Sequence, residues 1–411
     1  MKIGVDLRVL QIGHQYRGIG EVTKQCLNRL LVLAQDDTES VSFVFFVYTI
    51  DKDGENPLDL IHIPKGMDYE VVDVGMQPLL KPNRSMSEKL TYKYRLWLGN
   101  PLPQAKRRCN VLLQFDYALG VTRHPKTVLI AHDLIPYIFW KDYFTSPWVD
   151  VKHRAARTTL RTMTHNYEFK RVLKRSHRSA SRILCVSDST RNDLRKYLHI
   201  SAKKMEVIHL GVSEKLASTS SSLPRSKNFP TKPFLLFVGG IDKRRRRIDD
   251  LIAAYNNLKA AGHDIQLALV GENFQGPDKI PDEVVRKAVI ESSYSQDILT
   301  LGYIDDKTKQ ALYKKAVAFV FPTIYEGFGI PVLEAMLLEC PVITYKNSSI
   351  PEVGGVYVHY AKDWQGIWRQ AEQLLAASDI TRQKQVKAAR EYAQKFTWDA
   401  TASKLYKALS R

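Results

Sequence analysis

Apolar residues fall in short, nearly continuous runs that alternate with stretches of helical spacing. The run at 41–49, VSFVFFVYT, has no polar face, as expected of a strand covered on both sides. Runs at 3–7, 69–74, 111–115, 128–131, 183–186 and 207–211 predict further strands in the first half. Val22, Cys26, Leu27, Leu30 and Leu31 recur at helical spacing after the first of them, and Ser187-Asp188-Ser189 reads as a helix cap. Residues 214–233 are rich in Ser, Thr, Pro and Lys without apolar periodicity, which marks a linker. Beyond it, strands are predicted at 234–239, 266–270, 298–301, 317–321 and 342–344, with helices at 249–261, 282–292 and 308–315 and a helical chain throughout from Trp364. Strands alternating with helices on both sides of a linker predict an α/β protein of two doubly wound domains. In such sheets ligands bind at the carboxyl ends of strands, and two facing domains would hold a ligand in the cleft between them.

Three stretches join a strand to a helix through glycine. In AFVFPTIYEGFGIPVLE, 318–334, an apolar strand gives way to a turn carrying Glu326, Gly327 and Gly329, and Pro331 opens a helix that carries Glu334. Free N–H groups and the helix dipole make such a corner an anion site, with two carboxylates to flank hydroxyl-bearing groups. An ordinary corner with two solvated glutamates is the alternative. In QIGHQYRGIGE, 11–21, three glycines precede a helix, but Gly18-x-Gly20 lacks the third glycine of a dinucleotide fingerprint, so a plain tight turn is the simpler reading. In the third, Gly239-Gly240 leads through Lys243 into Arg244, Arg245, Arg246 and Arg247, and arginine binds phosphate bidentately. A solvated basic patch is the alternative there, and the place at a strand's carboxyl end favours a site.

Composition narrows the class. The chain of 411 residues, 44% hydrophobic and 25% charged, is long enough for two cores. No run approaches the roughly 20 apolar residues that span a bilayer, and the first residues lack the apolar segment of a signal peptide. Four scattered cysteines without a C-x-x-C pair fit a reduced cytoplasmic chain and argue against a disulfide framework or a zinc site. The net charge of +18 draws anionic partners. His132-Asp133 follows a strand, where a histidine could position or polarise a substrate near neutral pH, and a structural histidine is the alternative.

Residues 325–334, YEGFGIPVLE, closely resemble the glutamate-x7-glutamate signature of glycosyltransferase family 4. Other pieces match in order: the Gly18–Gly20 segment, 132–136 HDLIP, Val186-Ser187 with Arg191, 208–211, the Gly239 loop, Leu301-Gly302-Tyr303 and 348–353 SSIPEV. The resemblance spans nearly the whole chain. It implies a GT-B fold of two Rossmann-like domains, 1–213 for the acceptor and 214–396 for the nucleotide sugar, with 397–411 crossing back onto the first. It also implies metal-independent transfer of a hexosyl unit, with retained configuration, from a nucleotide-diphosphate sugar, with no other cofactor. Carried over by position, Glu334 would hold the ribose hydroxyls, Glu326 the donor sugar and Tyr303 with Gly302 the base. Backbone groups of Phe328, Gly329 and Ile330 would hold sugar and diphosphate, with Gly18, Gly20 and Gly240 near the phosphates and His132 at the reaction centre.

The resemblance departs at the basic loop, where the family places Arg then Lys and this chain has only arginines, apparently with one extra residue. Either Arg244 with Arg245 or Arg245 with Arg246 would carry the diphosphate, and a planar fork is not a point charge. Negative charge growing on a departing diphosphate needs such cations, and Arg245 is assigned the catalytic share. Front-side attack on the same face is favoured over a covalent intermediate, with Asp133 the one residue that could reverse this.

The HDLIPYIF form resembles mannosyl- and hexosyltransferases of surface polysaccharides, which tilts the donor towards GDP-mannose and the acceptor towards a saccharide or lipid-linked saccharide. The basic-aromatic segments 89–108 and 154–182 then suggest docking of one of them on the anionic inner face of the cell membrane, with solvated basic helices as the alternative. No nucleic-acid module is present. The competing functions are a non-catalytic partner of another transferase and a nucleotide-sugar epimerase or hydrolase.

Overall fold

A computed structural model describes residues 1–16, 18–37, 40–49, 55–75, 101–120, 122–143, 156–212, 223–224, 229–242 and 245–411. It divides into two compact units, Met1–Gly211 with Trp398–Arg411, and Val212–Thr397. The expected linker lies largely outside the described residues, as do Arg244 and most of the basic segment 89–108.

The first unit is a parallel sheet of β1 (Lys2–Asp6), β2 (Ser42–Val47), β3 (Tyr69–Asp73), β4 (Val111–Gln114), β5 (Thr127–Ala131), β6 (Arg182–Cys185) and β7 (Met205–Val207), in the order β3-β2-β1-β4-β5-β6-β7. Its central strands are buried along their length, which is why they read as unbroken apolar runs. Helices Gly18–Gln35, Ala156–Ser179 and Asp188–Leu198 connect them, the last capped by Ser187 Oγ, which accepts from Thr190 N at 3.0 Å. Helix Trp398–Ser410 packs on helix Gly18–Gln35 and buries Trp398, Leu405 and Leu409. Thr401 Oγ1 ties it to the His209 carbonyl at 2.8 Å.

The second unit holds β8 (Phe234–Val238), β9 (Gln266–Val270), β10 (Ile298–Gly302), β11 (Ala318–Phe321), β12 (Val342–Tyr345) and β13 (His359–Ala361), all parallel, in the order β10-β9-β8-β11-β12-β13. The order reverses between β1 and β4 in one sheet and between β8 and β11 in the other. At such a switch point the loops leaving adjacent strands run to opposite faces and open a crevice at the carboxyl edge.

Three expectations are corrected. The strand expected at 207–211 is β7, which ends at Val207, because Ile208 and Leu210 are buried outside the sheet. The three-residue β13 was missed, being too short to show a period. From Trp364 the chain is three helices, Trp364–Ala376, Asp379–Ala393 and Trp398–Ser410, broken by the Ser378 cap and by residues 394–397.

Two buried polar features brace the first unit. Arg8 donates twice to Asp6, at 2.7 Å on each carboxylate oxygen, and Gln114 Nε2 donates to the same Asp6 at 3.1 Å. His177, fully buried in helix Ala156–Ser179, donates from Nδ1 to the Leu173 carbonyl at 2.8 Å, and its Nε2 has no partner among the described residues. Burial, against the weaker pulls of that carbonyl and of Asp116, lowers its pKa to about 4. The folded chain therefore refuses a proton that the unfolded chain takes up below its ordinary value of 6.5, so stability is lost as pH falls from there towards 4. Urea unfolding between pH 7 and 4.5 should show this loss, and His177→Asn, which keeps a donor for Leu173, should remove about 1.4 kcal/mol per pH unit of the slope.

Candidate active site

The crevice of the second unit is bounded by the loops after β8 and β11, and these are zipped together. Arg247 N donates to Pro322 O at 2.8 Å, Ile324 N donates to Arg245 O at 2.8 Å, and Arg246 pairs with Thr323 as an antiparallel bridge. Gly239 makes the approach possible: its φ is 147°, and a Cβ there would stand 2.5 Å from Arg246 Nη1. Gly240 accepts from that same Nη1 through its carbonyl at 3.0 Å.

Arg245 locks the turn. Its Nε and Nη2 bind Asp242 Oδ2 at 2.9 and 2.8 Å, and its Nη1 donates to Tyr325 O at 2.9 Å and lies 2.5 Å from Glu326 Oε1. Burial works against its charge, but Glu326 and Asp242 outweigh burial and hold the guanidinium protonated well above its ordinary range. Thr323 Oγ1 also donates to Glu326 Oε1 at 3.0 Å, and Arg246 Nε stands 3.5 Å away. From the far side Ser348 Oγ accepts from Glu326 N at 2.8 Å, and Ser349 Oγ lies 2.9 and 2.7 Å from the carbonyls of Glu326 and Phe328. The turn that the sequence marks as glycine-rich is thus rigid: donors from Arg245, Thr323 and Ser349 and an acceptor from Ser348 hold it before any ligand arrives.

Beyond it, Gly329 adopts φ 113° as the residue before helix Ile330–Leu337, and a Cβ would press to 3.1 Å on Ile350. No side chain caps this helix and no acid stands in its first turn. Among the described residues the N–H groups of Gly329 and Ile330 have no hydrogen-bond partner, so the open end presents donors and the positive pole of the dipole. One turn on, Glu334 faces Lys309, whose Nζ is 3.7 Å from Oε1. Burial lowers the Lys309 pKa, and Glu334 with Asp306 more than restores it, leaving a cation. At the end of β10, Gly302 turns with φ 64° and leaves the Tyr303 ring 85% exposed, free to stack.

In the first unit the carboxyl ends of β4 and β5 bring His132, Asp116 and His14 together. His132 donates from Nε2 to Phe115 O at 2.9 Å, which leaves Nδ1 as the acceptor of the neutral ring. Burial lowers its pKa against the opposing pull of Asp116, so at neutral pH the imidazole is uncharged. His14 Nδ1 lies 2.5 Å from Asp116 Oδ2, a pair that sequence reading passed over although His14 stands among the glycines it singled out. Asp133 accepts from Ile135 N at 2.8 Å and so supports the following turn.

Gly18 and Gly20 are not in a loop. They form the first turn of helix Gly18–Gln35, and Gly20 is buried because a Cβ would meet Gln15 O at 2.4 Å and His14 O at 2.6 Å. A requirement of packing explains Gly20, and nothing crowds Gly18. Each nitrogen of Arg245 is engaged by the protein, which sets it in the lock of the turn, and Arg246 beside it donates to Gly240 O and stands 3.5 Å from Glu326 Oε1.

Two family models match the chain in series: glycosyltransferase family 4 over residues 110–216 and glycosyl transferases group 1 over 220–392. O-antigen chain mannosyltransferase B of Escherichia coli is 31% identical over 187 residues, 43% of this chain and 46% of that one, so the chain spans less than half the length of this relative. O-antigen chain mannosyltransferase RfbU of Salmonella typhimurium is 26% identical, with 74% of this chain and 77% of the relative covered. Sucrose-phosphate synthase from Thermosynechococcus elongatus shares the fold at a TM-score of 0.64 and 20% identity, covering 99% of this chain and 98% of that one. On two parallel Rossmann-like sheets of the GT-B class, the chain carries a glycosyltransferase family 4 domain followed by a glycosyl transferases group 1 domain.

Proposed function

We propose that the protein transfers a hexosyl unit, mannose in the first instance, from a nucleotide-diphosphate sugar to a saccharide or lipid-linked acceptor during surface-polysaccharide synthesis. The observation that carries this reading is the Arg245–Glu326 lock beside an uncapped helix end with Glu334 one turn in. The mannosyltransferase names of the relatives support mannose, and GDP-mannose is the donor to try first.

In this reading the diphosphate is held by the N–H groups of Gly329 and Ile330, with Arg246 and Gly240 at its side. These donors face the charge that develops as the glycosyl–phosphate bond breaks, which is the task a metal performs in other transferases. Glu334 takes the ribose hydroxyls, with the Lys309 ammonium 3.7 Å from its Oε1. Glu326 meets the sugar with Oε2, its other oxygen being spent on Arg245. Tyr303 offers its ring to the base. His132, neutral and oriented by Phe115, contacts the transferred sugar through Nδ1. With Asp133 bound to Ile135 N, front-side departure and attack with retention is preferred to a covalent intermediate.

Among the described residues no helix is long and apolar enough to cross a membrane. Membrane docking instead falls to helix Ala156–Ser179, where Lys170 Nζ stands 3.7 Å over the Trp140 ring and Tyr167 is 60% exposed. Flotation with phosphatidylglycerol vesicles should carry the protein upward at low salt and release it at high salt; failure to float at low salt removes the docking reading.

Incubation with GDP-mannose, and with other nucleotide sugars, with and without lipid extract, tests the function. Nucleotide release that requires acceptor supports transfer, and no turnover of any donor would point to a non-catalytic partner. Glu334→Ala should weaken donor binding by about 10–100-fold, the worth of a hydrogen bond to a charged group, whereas His132→Ala should lower kcat with KM little changed. Arg245 and Arg246 should separate by assay. Arg245→Met leaves Glu326 buried without its partner and should cost about 3–5 kcal/mol in urea unfolding, and Arg246→Ala should reduce donor affinity with a far smaller loss of stability.

A further inference from the structure

The second unit carries a cavity of about 680 Å³ at the carboxyl ends of β12 and β13, bounded by the start of helices Ile248–Ala260 and Trp364–Ala376. Its size lies within the about 300–1,000 Å³ of small-molecule sites. Neither the proposed transfer nor the packing of the sheet uses it. Pairing of Tyr345 with Ala361 brings the next residues, Lys346 and Lys362, off adjacent parallel strands side by side. Both are exposed, and among the described residues neither forms an ion pair with a carboxylate. Neighbouring like charges repel, and an anion between them relieves the repulsion. The helix end nearby is not the anion seat, because Asp363 already caps it, accepting from Gly366 N at 2.7 Å.

The rest of the lining is of a different kind. Tyr345 donates to Asp250 Oδ2 at 2.6 Å and Arg247 Nη2 to Asp250 Oδ1 at 3.1 Å, which fixes a carboxylate whose remaining lone pairs can accept from hydroxyls. Trp364, half-buried, lines the cavity with an indole, an apolar surface of the kind that covers the C–H face of a sugar ring. Two cations without a carboxylate partner among the described residues, Lys346 lying 5.6 Å over the Tyr360 ring, together with a fixed carboxylate and an indole around one volume, suit a ligand that is at once acidic, hydroxylated and ring-shaped.

We propose that this cavity binds an anionic saccharide, its acid group on Lys346 and Lys362, its ring on Trp364 and its hydroxyls at Asp250. The inner wall includes Asn347, whose Nδ2 donates to Thr323 O at 2.8 Å, so the bound saccharide abuts a support of the Glu326 turn without entering it.

Titration calorimetry of the full chain with hyaluronan tetrasaccharide, a carboxylate source, and glucose 6-phosphate, a phosphate source, tests the proposal against uncharged chitotetraose and inorganic phosphate. At least one acidic sugar should bind saturably, about tenfold or more tighter than either control, and more weakly as salt rises. The double variant Lys346→Ala/Lys362→Ala should lose about tenfold or more of that affinity at an unchanged melting temperature, with binding of nucleotide diphosphates unaltered. Trp364→Ala should abolish the preference for the sugar over inorganic phosphate. The proposal is overturned if neither acidic sugar binds, if a control binds equally well, or if the folded double variant binds as the parent does.

Discussion

A buried carboxylate is costly unless a cation meets it, and at Glu326 that requirement organises the second unit. Arg245 comes from the loop after β8 and Glu326 from the loop after β11, the two strands between which the sheet order reverses. The ion pair can form only if both loops reach the crevice, and once formed it fixes them there. Asp242 shares the guanidinium, and Ser348 and Ser349 brace the turn from the next strand over. The open helix end and Glu334 are thereby positioned by contacts that a ligand need not supply. Interactions prepared in advance cost little at the moment of reaction, which is what stabilisation of a departing diphosphate demands.

The first unit solves a similar problem with different residues. Its switch-point strand β1 ends in Asp6, which is wholly buried and satisfied by Arg8 and Gln114. The carboxyl ends of β4 and β5 supply Phe115 and Asp116 on one side and His132 on the other. A neutral imidazole oriented by a backbone carbonyl is held in one tautomer, so its second nitrogen is an acceptor in a known direction.

The architecture could be read from the chain because parallel strands buried on both faces leave unbroken apolar runs, as at 41–49, and because proline and glycine punctuate the corner before helix Ile330–Leu337. Glu326 and Glu334 could be picked out for the same local reason. What stayed hidden depends on partners remote in sequence. Arg245 reads in sequence as a cation for the diphosphate, and its part in the lock shows only when Tyr325 and Glu326, some eighty residues away, are seen to engage it. Gly20 reads in sequence as part of a tight turn placed near the phosphates by resemblance alone, and only the folded chain shows that a Cβ there would meet Gln15 and His14. His14 with Asp116 and the three-residue β13 offer no period or motif at all, because both are defined by pairing across the fold.

The return of helix Trp398–Ser410 to the first unit bears on how the chain is made. Residues 1–211 emerge from the ribosome first, yet the face of helix Gly18–Gln35 that this helix covers stays bare until residue 410 has been synthesised. By then the whole of the second unit has emerged and, as an uninterrupted segment, can fold ahead of the unit that precedes it. The earlier-made unit is therefore the later one to be completed, and for the length of that wait it carries an uncovered apolar helix face that a nascent-chain chaperone would be well placed to shield.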